Sequence, residues 1–175
     1  MACDLTLGRD WQCKEVVGGI NNIYFINYGD VPSSAITYDA TNTDAIEAVS
    51  GTPSCYKYVV KEASSFTQNI QSDTSTGTTA FEQVLSLTLK KLTVADHKEL
   101  KLLAWGRPHV IIEDNNQNYF MAGLEHGLSV SGGTIVTGTA MSELSGYTLT
   151  LSGMERVPAN FLESDPATVG FTVVT

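Results

Sequence analysis

Apolar and polar positions along this 175-residue chain alternate far more often than they recur at helical spacing. In "AFEQVLSLTLKKL", residues 80–92, Leu85, Leu87 and Leu89 alternate with Ser86, Thr88 and Lys90, which puts three leucines on one face of a strand. "GYTLTLSG", residues 146–153, repeats the pattern with Tyr147, Leu149 and Leu151. "NIYFINYG", residues 22–29, is aromatic and β-branched and ends at the turn signal Gly29-Asp30-Val31-Pro32, which marks another strand. "SCYKYVVKEASSFTQNI", residues 54–70, reads as one extended run, followed by a Ser/Thr/Gly loop at 71–79 with little to bury. Two strand-like runs joined by nine polar residues predict a long hairpin over about 54–90, with a tip that projects beyond its domain.

One segment has the features of a helix. In "TVADHKELKLLAWG" Thr93 precedes Asp96 by three residues, as in a capping box, and Gly106 and Pro108 end the run. This predicts a helix over about 93–105, with His97 at its border. A short run at 43–50, "TDAIEAVS", is read as a second, weaker helix. "HVII" and "YFMAG" flank the Asx-rich "EDNNQN" and predict a hairpin over 109–123. The Gly/Ser/Thr-rich segment 127–146 reads as a flexible or β-bulged connection, and "VGFTVVT" as a last strand. Seven or eight strands without βαβ alternation predict a mainly β fold: a β-sandwich or partly closed β-barrel with one flanking α-helix and the projecting hairpin.

Composition adds that residues 1–175 form a single domain. Hydrophobic residues make up 42% and charged residues only 17%, enough to build one core. The formal net charge is −9, from 19 acidic and 10 basic residues, the opposite of what duplex binding needs. After Pro108 only Arg156 is basic, while lysines cluster at 90, 91, 98 and 101. Cys3, Cys13 and Cys55 have no metal or redox spacing and are expected to be buried or semi-buried thiols. The first residues lack the apolar stretch of a secretory signal, and no run approaches the roughly 20 residues that span a bilayer. No membrane is therefore expected as a partner, and a reducing cytoplasm is expected for folding.

Candidate chemistry is sparse. Asp114, Asn116, Asn118 and Glu125 match four ligand positions of a calcium loop. Tyr119 stands where that loop needs Gly, and the flanks are strands, so the stretch is read as a hairpin tip. Glu113 and Asp114 are adjacent and point to opposite faces of a strand, which disfavours an acid and base pair. "GLSVSGG" misses the nucleophile-elbow pattern at Ser131, and "SGGT" at 131–134 lacks the Lys of a phosphate loop. His97, His109 and His126 have no ligand spacing, and His109 and His126 are expected at the surface. No catalytic residue, metal ligand or cofactor is assigned, and the chain is not expected to be an enzyme.

A resemblance enters through "DWQCKEVVGGINNIYFINYGDV", the "DNN-x-NYF" hairpin, the "GGT…TGTA" segment and "GYTLTLSGME" leading to Pro158-Ala159. Over about half of its length the chain resembles tail tube-like structural proteins of tailed bacteriophages, particularly those infecting Bacteroidota. It departs from the pattern at Ser145-Gly146, where Asn-Gly is expected, and at Gln117, where Gly is expected. The resemblance implies a virion structural protein, made and assembled in the host cytoplasm, whose β domains form hexameric rings. The rings would stack into a tube that contacts other tail proteins and passes the genomic DNA and tape measure protein without binding them. A net acidic subunit suits such a conduit. The hairpin is the natural contact between subunits, through Phe66, Ile70, Thr74, Thr76, Gly77, Phe81, Val84 and Leu85. The arm before the first strand and the 71–79 loop are expected to order on assembly. The alternatives are another virion component (head decoration, neck or tail-completion protein) or a calcium-dependent carbohydrate-binding module. The latter would use the Asp114 cluster with Trp11 or Trp105 as a sugar platform, although both tryptophans read as core or interface residues.

Overall fold

Two sheets organise the chain in the computed structural model, which describes residues 7–60 and 63–175. In chain order the strands are β1 (Ile20–Ile26), β2 (Ile36–Tyr38), β3 (Ala45–Val49), β4 (Ser54–Val59), β5 (Ser65–Asp73), β6 (Thr78–Lys90), β7 (His109–Asp114), β8 (Tyr119–Ala122), β9 (Ser129–Val136), β10 (Gly146–Glu155), β11 (Asn160–Leu162) and β12 (Thr172–Val174). Helix α1 (Val94–Trp105) lies between β6 and β7, and α2 (Pro166–Val169) between β11 and β12. The larger sheet runs β12-β4-β1-β7-β8-β11-β3-β2 and the smaller β5-β6-β10-β9. The fold is therefore mainly β and sandwich-like, as the strand patterns predict.

The apolar runs that do not alternate explain how the layers meet. Val110 and Ile112 of β7 join Ile23 and Phe25 of β1 in one cluster, against Leu85, Leu87 and Leu151 of the smaller sheet. Ile111, Tyr24 and Ile26 face the other way, into a second cluster with Ile46, Cys55, Met121 and Phe171. A strand buried on both faces has no polar side to show, so its sequence reads as continuous apolar residues. Burying an Ile or Leu fully contributes about 1.5–3 kcal/mol relative to exposure, which makes β1 and β7 the centre of the molecule.

The larger sheet also curls. Edge strand β12 and strand β3 stand six spacings apart in the strand order, roughly 29 Å if the sheet were flat. Yet Gly170, at φ 121°, lies so close to the Val49 carbonyl of β3 that a Cβ would collide. Two residues later Thr172 pairs with Ser54 on β4. Two residues reach at most about 7 Å, so the sheet rolls its edges together around the second cluster.

Three predicted elements change. The run 54–70 is not one strand: β4 joins the larger sheet beside β1, while β5 pairs with β6 in the smaller. The break falls near Ala63, whose φ of 52° is foreign to extended backbone. The expected hairpin at 54–90 is thereby corrected to a β5–β6 ribbon, and its nine-residue loop to the four residues Thr74–Gly77 between Asp73 and Thr78. The expected helix at 43–50 is β3, paired with β2 and β11. The Gly-rich connection contains β9, bulged where it meets Thr150 and Leu151 of β10.

Helix α1 is capped as its sequence predicts, with the Thr93 hydroxyl accepting the Asp96 N–H at 3.1 Å. Leu100 is buried and Leu103 packs against the first cluster. Among the described residues no helix is long and apolar enough to cross a membrane.

Candidate functional site

Alternation along β6 sorts its residues into two faces. Gln83, Leu85 and Leu87 are buried, whereas Glu82, Val84, Ser86 and Thr88 lie partly exposed on the opposite side. Partner residues on β5 follow in register: Phe66 sits opposite Leu85, Gln68 opposite Gln83, and Ile70 opposite Phe81. Strand β10 covers β6 only from Phe81 to Lys90. The pairs from Gln71–Ala80 to Asp73–Thr78, and the turn, thus lie past the end of β10. On the inward face Ile70, the last large apolar residue of β5, has left the core and is 70% exposed.

These facts divide the predicted contact residues. Leu85 is fully buried in the subunit's own core, so its assignment to an intersubunit contact is corrected. It occupies the inward face of β6, in one cluster with Ile23 and Phe25 of β1 and Val110 and Ile112 of β7. Phe66, Phe81 and Val84 are half-buried, and Ile70, Thr74, Thr76 and Gly77 are exposed.

The ribbon is held by its own polar groups. Asp73 accepts from the Ser75 hydroxyl and N–H at 2.7 and 2.8 Å, and these bonds hold its carboxyl below the usual range. Glu82 accepts from the Asn69 and Gln71 amides, each at 3.3 Å. Ser72 and Thr79 hydroxyls meet across the strands at 3.1 Å. Further in, Gln83 accepts the Gly123 N–H and Gln68 accepts the Ala159 N–H, both at 2.8 Å. Two side-chain carbonyls thus bind the smaller sheet to backbone of the larger one. Sequence patterning shows only that these glutamines interrupt an apolar face; their partners lie 40 and 91 residues away.

"EDNNQN" forms the tip between β7 and β8. Asp114 accepts the N–H groups of Asn116 and Asn118 at 2.8 Å each, and their side-chain amides at 3.1 and 3.0 Å. Partial burial raises its carboxyl pKa, and these amides outweigh that, so the net displacement is downward. Asn116 grips the arm before β1 from both sides: its Oδ1 accepts the Val17 N–H at 2.9 Å and its Nδ2 donates to the Val17 carbonyl at 2.7 Å. Asn115 donates to the Gly18 carbonyl at 2.8 Å. The Asx cluster therefore closes a turn and anchors an arm, two tasks that occupy both Asp114 carboxylate oxygens and the Asn116 Oδ1. Glu125 lies beyond the other end of β8, beside Glu155.

Two expected outcomes follow. Millimolar calcium leaves the melting temperature unchanged, since a ligand of the folded state alone would raise it by mass action. A clear rise abolished by Asp114→Ala would contradict the assignment. Asp114 is depressed in the folded state, so its stability contribution is complete above the unfolded value, about 3.9, and disappears as pH falls through the folded value. Asp114→Asn should weaken the acid-side loss of stability, as read by denaturant titrations at descending pH.

The remaining candidates have structural partners. Glu113 accepts from Asn21, Asn22 and Tyr24 at 2.9, 2.7 and 3.0 Å; burial and then this carboxylate push the Tyr24 phenol well above its usual range. His109 is buried, correcting its expected surface position. Its Nδ1 donates to the Gly123 carbonyl at 2.6 Å, and its Nε2 lies 3.4 Å from the Gly29 N–H. Glu155 is buried and accepts the His126 and Glu125 N–H groups at 2.9 and 3.3 Å. Glu125, His126 and Glu155 offer ligand atoms within 4.8 Å of one another, but Glu155 is already engaged by that turn. Ser131–Thr134 are strand residues of β9, paired with β10 rather than forming a loop for an anion.

Cys55 is buried, and desolvation pushes its thiol up to about 11. Cys13 is exposed, against expectation, and Cys3 lies outside the described residues. Trp11 and Trp105 are both exposed, so neither belongs to the core. Comparison of the chain with models of known families, with curated proteins and with solved structures finds no match.

Proposed function

We propose that this chain is a virion structural protein, the subunit of a bacteriophage tail tube, assembling as hexameric rings that stack into a conduit for DNA. The observation that carries this reading is the β5–β6 ribbon, whose end runs past β10 and leaves Ile70 exposed on a strand with an open edge. An open edge with an apolar residue in water is an aggregation hazard unless another chain completes it. The ribbon projects as the contact between subunits, with Phe66, Ile70, Phe81 and Val84 beside the neighbour and Thr74, Thr76 and Gly77 at the tip. The resemblance over about half of the chain supplies the architecture of the assembly, and the net charge of −9 suits a channel that repels phosphate.

Other tail proteins are the remaining partners, with genomic DNA and the tape measure protein passing through the lumen. Purified assemblies should show no appreciable affinity for duplex DNA at physiological salt, measured by fluorescence anisotropy. Tight binding that weakens steeply with salt would contradict the conduit role. Another virion component would use the same exposed ribbon and differ in symmetry: closed rings that do not stack would indicate a decoration or neck protein. Against a calcium-dependent carbohydrate-binding module stand the Asp114 oxygens, which are occupied by four amide donors.

A further inference from the structure

We infer that residues 7–17 dock as an added strand on the open edge of β9 in a second copy of the chain, with Trp11 seated in the groove between β9 and α1. The inference rests on the reading that copies of this chain assemble, and does not depend on the symmetry of the assembly.

The donor is an arm without a sheet. Residues 7–17 form no helix or strand, and Leu7 and Trp11 are 91% and 95% exposed. In an extended chain Leu7, Trp11, Cys13 and Val17 share one side with Arg9 and Glu15, while Gly8, Asp10, Gln12 and Lys14 share the other with Val16. That is the pattern of a strand with one face to bury. The arm is nevertheless anchored at its root, where Asn115 and Asn116 hold Val17 and Gly18.

The acceptor has the complementary character. Among the described residues no strand pairs with the outer edge of β9, whose eight residues match most of the arm's length. Between β9 and α1 lies a groove of about 460 Å³ lined mainly by apolar groups, among them Leu100, Ala104, Ile135, Tyr147 and Leu149. Gly133 is part of its lining, at a point where β9 approaches β10 so closely that a Cβ would meet the Thr148 carbonyl at 2.5 Å. A strand added to β9 would turn one face into this groove and the other toward Thr134 and Thr148, whose hydroxyls mark the polar face of the sheet. Lys101 lines the groove and Lys98 precedes it by one helical turn. They offer charge partners for Glu15 on the arm's inward side.

Position identifies the donor as another copy. The arm leaves the body beside β5, where Val17 and Gly18 line a cleft with Phe66 and Gln68, whereas β9 is the opposite edge of the same sheet. A contact between opposite edges is head-to-tail, and repeats into a ring or filament. An eleven-residue strand about 36 Å long and about 10 Å wide covers on the order of 350 Å² on each partner. Counting both partners, that is about half of what a stable interface buries, so the arm acts with the ribbon contact to hold copies together.

The test uses the full chain carrying Cys3→Ser and Ile135→Cys, with native Cys13, treated with a short bismaleimide under assembly conditions. A ladder of cross-linked dimers, trimers and higher species that disappears without Ile135→Cys is expected. In parallel, Trp105→Phe leaves Trp11 as the only tryptophan, and its emission should shift to the blue on assembly. Rings without cross-links or a blue shift would overturn the arm exchange and leave the tube reading standing. Cross-linking confined to single chains would also overturn the exchange. A chain that never associates would overturn both, and a ladder without stacked sixfold rings would retain the exchange and contradict the tube.

Discussion

Replacing Ser72–Thr79 with Asn-Gly is expected to leave a chain that melts cooperatively but no longer polymerises. The replacement joins Gln71 to Ala80, which are already paired, through the two-residue turn that hairpins favour. The register of β5 and β6 is therefore kept, and the core beneath them is untouched. What disappears is the part of the ribbon past β10, with Thr74, Thr76 and Gly77. Because that part is stabilised by its own hydrogen bonds and its residues 72–79 are all exposed, its loss should change unfolding free energy by less than about 1 kcal/mol. Urea titration and light scattering separate the two effects. Native-length tubes from this variant would show that the ribbon tip is not the contact.

Leu85→Ala and Ile70→Ser should behave as opposites although both residues face the same side of the ribbon sheet. Leu85 is fully buried against the first cluster, and its truncation leaves a cavity that costs about 2–5 kcal/mol. Ile70, mostly in water, should lose no more than about 0.5 kcal/mol on change to Ser, while assembly weakens severely. A large loss of folding stability from Ile70→Ser would mean that its apolar surface is used within the subunit.

How much of this was legible in sequence depends on where each face points. Strands β6 and β10 alternate because one side meets the core and the other water, so Leu85, Leu87, Tyr147 and Leu151 announce both strand and inward face. "HVII" and "NIYFI" are readable as strands, but nothing local says that both their faces are covered; that requires the second sheet and the curl of the first. The division of 54–70 is hidden because alternation continues on both sides of the break. Strand β3 reads as a helix since Ala45, Glu47 and Ala48 have little β preference, and pairing with β2 and β11 overrides them. For the candidate site, periodicity puts Leu85 on one face with Leu87 and Leu89, and only the pairing of β5 with β6 adds Phe66, Ile70 and Phe81 to that face. Periodicity does not show where along that face the core ends, which separates Leu85 from Ile70. The grip of Asn116 on Val17 spans 99 residues and has no local signature.

We propose above all that this chain builds a tube. Electron microscopy of the purified protein, with rotational averaging of end views and measurement of side views, tests it most directly. Sixfold rings stacked into hollow tubes, with the ribbon bridging neighbouring subunits, are expected. Isolated monomers at every concentration, or closed particles of another symmetry that never stack, would contradict it.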